Sequence, residues 1–130
     1  MANVPQSGEL RTSYPAGEDL SDYEGYFVKL VTGTLKVCDG ATDVPAGVLE
    51  EGVASGLQAE IVMFGTAKLV AGGIIAIGDQ VGTDANGKGD KKIPGTDTTN
   101  YICARALEAA ASDGDIIAVA VNCISPHRAA

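Results

Sequence analysis

The chain has 130 residues, 45% of them hydrophobic, with a net charge of −8 and no tryptophan. That length suits one domain, which can bury about two-thirds of its unfolded surface without disulfides or a metal. The negative charge excludes the basic footprint that phosphate-backbone binding requires, so no direct nucleic-acid contact is expected.

Residues 1–24 form a segment of their own. They hold Pro5, Gly8, Pro15 and Gly17, five acids from Glu9 to Glu24, and few apolar side chains. Such a stretch buries too little to fold alone. The spaced apolar residues Leu10, Tyr14, Leu20 and Tyr23 suggest an extended arm that orders on a partner. The expected organisation is therefore an arm over 1–24, a β-rich domain over 25–124 and a tail over 125–130.

Strand signals begin at Tyr26. Residues 26–31 and 34–38 read as a hairpin about Thr32-Gly33. A third strand runs from Val44 to Glu51, with Pro45 at its start, where a missing N–H does least harm. Residues 58–64 and 65–70 are either two strands or one strand bent at Gly65. Residues 71–79 suit a short helical turn or a tight crossover. A strand over 79–83 leads to the Asn86-Gly87 hairpin signal, and 88–99 reads as a polar loop. Residues 101–109 form a strand, although 106–111 also has helix propensity. Residues 116–121 form the last strand, apolar on both faces and hence central. Turns recur every eight to twelve residues or so, the pattern of an all-β barrel or sandwich. Ala, Val and Ile dominate the apolar residues. They make a thin core, so subunit contacts are expected to add stability.

No constellation for catalysis stands out. Gly82-Thr83-Asp84-Ala85-Asn86-Gly87-Lys88 matches part of a phosphate-binding loop. Gly89 stands where that motif needs Ser or Thr, and no helix follows. Asp84, Asn86 and Asp90 resemble a calcium loop, but Gly95 occupies the place of its twelfth-position Glu. His127, the only histidine, lies in the tail and has no rigid serine partner. Glu50, Glu51 and Glu60 read as strand-edge charges that block aggregation. Lys68 would serve a small enzyme or carrier domain only if modified. Lys88, Lys91 and Lys92 read as a solvated loop. Cys38, Cys103 and Cys123 lack metal-ligand or Cys-x-x-Cys spacing and read as buried free thiols, in keeping with a reducing compartment of synthesis. No catalytic residue, cofactor or metal is expected. The polar N-terminus does not read as a secretory signal. No apolar run reaches membrane-helix length, so no membrane contact is expected.

An ordered set of phrases carries a resemblance. Pro45-Ala46-Gly47-Val48-Leu49 is followed by Gly65-Thr66-Ala67-Lys68-Leu69-Val70, then by Ala71-Gly72-Gly73 through Gly78-Asp79 to Val81. Arg105-Ala106-Leu107-Glu108-Ala109 and a Gly114–Ile117 strand complete it. Together, over Tyr26–Val121, they resemble the head-decoration, or capsid-cement, proteins of tailed bacteriophages. The cysteines and the acidic N-terminal segment depart from the pattern.

The resemblance implies a small β-barrel or sandwich, β-tulip-like, with the extended arm. It implies a non-enzymatic structural virion protein on the outer capsid surface, made in the host cytoplasm. Its partners would be the major capsid protein and its own copies, as a homotrimer. Leu10, Tyr14, Leu20 and Tyr23 would contact the capsid, and removing residues 2–20 would leave the body folded. The alternative is a virion or cell-surface adhesion or binding module of β-sandwich type.

Overall fold

A computed structural model describes residues 9–130, and every described element is a strand. They are β1 (Leu10–Pro15), β2 (Phe27–Val31), β3 (Thr34–Val37), β4 (Gly47–Leu49), β5 (Gln58–Val70), β6 (Gln80–Thr83), β7 (Gly89–Lys91), β8 (Tyr101–Ile102), β9 (Ala104–Ala106), β10 (Ile116–Asn122) and β11 (His127–Arg128). The first nine-stranded sheet runs β3-β2-β4-β5-β10-β9-β6-β7, with β1 also on β5; β8 and β11 form a second, two-stranded sheet.

Each local signal has a visible cause. Thr32 and Gly33 take φ values of 51° and 80°, so two left-handed residues close the β2–β3 hairpin. Such turns match the right-handed strand twist. Residues 58–70 form one strand, bent at Gly65, whose φ of 125° favours glycine. No helix forms in 71–79. That stretch is a crossover tied down by an isolated bridge from Ile75 to Ala110. The expected strand 101–109 breaks at Cys103 into β8 and β9.

The long sheet curls into a half-barrel. The β6–β7 hairpin returns to β2, where Phe27 N–H donates to the Gly87 carbonyl at 2.7 Å, and to the end of β5, where Gly72 N–H donates to the Gly89 carbonyl at 2.8 Å. Side chains facing into the curl form the larger core, which includes Phe27, Val48, Val62, Leu69, Val81 and Val119. The residues beside them in sequence, Val28, Leu49 and Ile61, face outward into a second core with Leu35, Ala59, Ala16 and Leu20. β2, β4 and the first half of β5 are thus covered on both faces.

The cover on the outer face is the N-terminal segment, which corrects the expected arm. Residues 1–8 of that arm lie outside the described residues. From Leu10 onward the chain is integral to the body. β1 pairs antiparallel with the first half of β5, from Leu10↔Phe64 to Pro15↔Gln58. Leu20 is fully buried, and its N–H donates to the Val53 carbonyl. Tyr14 and Tyr23 pack against the same core, while Leu10 remains exposed. The spaced apolar residues are there because the outer sheet face has to be covered. The boundary at 24/25 is crossed by packing and hydrogen bonds, including Gly17 N–H to the Leu35 carbonyl and Ala16 N–H to the Leu57 carbonyl.

Two further expectations change. β10 is central, flanked by β5 and β9, yet only one of its faces is buried. Ile117, Val119 and Val121 enter the core, whereas Ile116 is 65% exposed. The 125–130 tail is docked: β11 pairs with β8, and Ala129 is buried.

Replacing Leu20 by Ala removes a fully buried side chain and is expected to cost about 2–5 kcal/mol. Deleting residues 2–20 also removes β1 and should cost more, so the shortened chain loses cooperative unfolding. Denaturant titration of both variants checks this. Wild-type stability in the deletion would return residues 10–20 to the role of a dispensable arm.

Candidate functional site

The motif-like stretches resolve into structural devices. In the 82–88 loop the Asp84 carboxylate accepts the N–H groups of Asn86 and Lys88 at 2.8 and 2.9 Å. The amides that a phosphate would need are already turned on an anion of the chain itself. Asp90 points elsewhere and meets the Lys92 ammonium at 3.1 Å. Among the described residues, no group of three His, Cys, Asp or Glu side chains is arranged to hold a metal ion. His127 and Ser125 share a shallow depression of about 180 Å³, and among the described residues no hydrogen bond joins them.

The lysine cluster is not a solvated loop. Lys92 is 3% exposed, and its ammonium is held by Asp90 and by the Asn100 side-chain oxygen at 2.7 Å. Lys88 reaches Asp113 at 2.9 Å, and Lys91 lies 3.9 Å from Asp79. A buried ammonium persists only where carboxylate and amide oxygens replace its water.

The three cysteines are all buried, free and gathered in the larger core. Burial pushes the Cys38 thiol up to about 12, and the Asp43 carboxylate adds to the effect. The Cys103 thiol is raised well above its ordinary value by its contact with the Cys123 thiol and by burial. Thiols held neutral in this way are poor nucleophiles and poor metal ligands.

An open groove of about 750 Å³ lies on the outer face of β5 and β10, where the described N-terminal cover stops. The register places Val70, Lys68 and Thr66 opposite Ile116, Ala118 and Ala120. Ala67 and Leu69, which alternate with them, point into the core. The floor of the groove is the strip of Thr66, Ala118, Val70 and Ile116 with one ammonium, that of Lys68. Glu24 stands beside Gly25 along the β5 edge, where Val70 N–H donates to the Gly25 carbonyl. Glu108 stands on the β10 edge and accepts the Ala118 N–H at 2.8 Å. Glu9 and Glu50 line the remaining rim.

Arg11 organises that end of the rim. Its guanidinium lies 3.0 Å from Glu9, 2.9 Å from Glu50 and 3.6 Å from Glu60. Sequence reading paired Glu50 with Glu60 but missed the arginine between them. Only the β1–β5–β4 register brings these strands together, with Val62 opposite both Arg11 and Val48. No local pattern signals such a contact. Of the four expected contact residues, the structure brings Tyr14, Leu20 and Tyr23 together inside the second core and leaves Leu10 at the surface beside Phe64.

A curled nine-stranded sheet with a small second sheet, and polar clusters spent on turns and ion pairs, defines a structural β-scaffold. The sequence places it more narrowly. The family model described as phage cement protein matches residues 6–122, and the chain belongs to that family. It is a structural protein of the phage capsid. No curated protein matches the chain. Its fold is similar to the crystal structure of the head fiber gp8.5 N base of bacteriophage phi29. The TM-score is 0.61 at 16% identity, covering 88% of this chain and 95% of that one.

Thiol reactivity follows from the core geometry. At pH 8 the folded protein should leave Cys38 and Cys103 unlabelled by a disulfide reagent, while all three cysteines react in denaturant. The stability due to a neutral Cys38 is complete below the thiol's ordinary value of about 9 and is lost as pH rises towards about 12. Rapid labelling of Cys38 or Cys103 at neutral pH would contradict this burial.

Proposed function

We propose that this chain binds the outer surface of the expanded phage capsid and cements neighbouring major capsid subunits against the pressure of packaged DNA. The observation that carries the reading is the cement-family match over 6–122. The physical character of the body supports it. A curled sheet with two cores is a stiff clamp, and the acidic surface disfavours adsorption to DNA. Its role is mechanical and needs no catalytic group. Many copies of modest affinity stabilise a shell strongly, because binding only the assembled, expanded lattice shifts its equilibrium by mass action.

The same reading includes a homotrimer on the outer face of the virion, after synthesis in the host cytoplasm. Support for self-association comes from an apolar patch at one end of the body. Ile74 and Ile77 are 78% and 71% exposed, and Leu107 lies nearby because Gly78 N–H donates to the Ala106 carbonyl. Exposed apolar clusters of this kind mark contact surfaces.

Co-sedimentation with undecorated capsids tests the main reading. Saturable binding to expanded shells, none to unexpanded shells and a raised shell-disruption temperature are expected. Absence of binding to either shell would instead support an adhesion module. In analytical ultracentrifugation, Ile77→Asp should shift a trimer towards monomer, because each copy would bury a charge at the contact. An unchanged sedimentation coefficient would remove the patch from the interface.

A further inference from the structure

The groove over β5 and β10 has a chemistry that the cement reading leaves unused. Four carboxylates, Glu9, Glu24, Glu50 and Glu108, stand around it, against the single ammonium of Lys68. Glu9 and Glu50 already share Arg11, and Glu108 accepts a backbone N–H. Glu24 is in no ion pair among the described residues, and it is exposed. The floor between the walls is sheet surface with small side chains at Thr66 and Ala118 and apolar ones at Val70 and Ile116. We propose that this groove receives an extended, lysine- or arginine-bearing segment of a major capsid subunit.

The inference rests on the cement reading and gives that contact a location and a chemistry. Charge selects the occupant. The carboxylate walls repel phosphates, nucleic acid and anionic lipid, and they attract ammonium and guanidinium groups. A second copy has its own apolar contact at Ile74 and Ile77, away from these carboxylate walls. The chain's own residues 1–8 contain no lysine or arginine. Shape selects an extended strand. The floor is the face of two paired strands, and its small side chains let another backbone lie close. Lys68 sits mid-floor, opposite Ala118, where it can donate to a carbonyl or carboxylate of the incoming segment. Basic side chains on either side of that point would meet Glu24 and Glu108.

Binding of undecorated, expanded capsids by the full chain provides the test, together with photo-crosslinking from Ala109→benzoylphenylalanine, an exposed position beside Glu108 on the rim that leaves the floor free. Glu24→Lys reverses an exposed charge, and Thr66→Trp fills the floor. Each should weaken capsid binding by about fivefold to tenfold, and the wild-type affinity should fall as salt rises. Thr98→Lys, on an exposed loop away from the groove, should bind within about twofold of wild type. Thermal melts confirm that the variants fold, and Glu24→Lys carries the test if Thr66→Trp does not. Adducts on a lysine- or arginine-bearing stretch of the capsid subunit support the inference. If wild type binds and Glu24→Lys binds as well or better, the groove is not the contact and the cement reading stands. Adducts on a second copy or on residues 1–8 overturn the inference in the same way. If wild type fails to bind expanded shells, the cement reading falls and takes the inference with it.

Discussion

The structure depends on β5. This 13-residue strand pairs with β1 and β4 along its first half and with β10 along its second. It serves two cores at once. Ala59 and Ile61 face the outer cluster, and Val62, Ala67 and Leu69 face the inside of the curl. A flat strand of this length cannot follow a closing sheet. The bend at Gly65, with its positive φ, lets the second half turn away. A side chain there would also meet Glu9, so the bend and the entry of the N-terminal segment are coupled.

Curling leaves the body with an asymmetric outer surface. One sector of the sheet is sealed by Ala16 and Leu20, with Tyr14 and Tyr23 packed beside them. The neighbouring sector, formed by β10 and the end of β5, stays open. Thin apolar side chains allow this arrangement. Val, Ile and Ala fill the inside of the curl without a second layer, and the outer face needs a cover only where Val28, Leu49 and Ile61 would meet water. The open sector is then available for a partner.

The ion pairs serve register more than stability. Exposed pairs such as Lys88–Asp113 contribute little each. Lys92 differs because it is buried: Asp90 and Asn100 must hold their places or an uncompensated charge remains inside. It joins β7 to the 93–100 loop, which the docked C-terminal strand also steadies through Gly95 N–H to the Ala129 carbonyl. A decoration protein benefits from such rigidity, since a lattice contact is weakened by every degree of freedom it has to quench.

The sequence by itself determined the all-β class, the Thr32-Gly33 and Asn86-Gly87 turns, the buried thiols and the family. These are local properties: alternation, left-handed turn residues and ordered short phrases are written within a few residues of one another. It also placed β10 centrally, yet misjudged its faces, because apolar composition reports burial preference and not which side has a cover. Only the tertiary structure decided that Leu20 seals the body, that Lys92 is buried and that Arg11 joins Glu9, Glu50 and Glu60. Each depends on pairings between residues far apart in the chain. The curl of the sheet sets those pairings, and no local pattern encodes it.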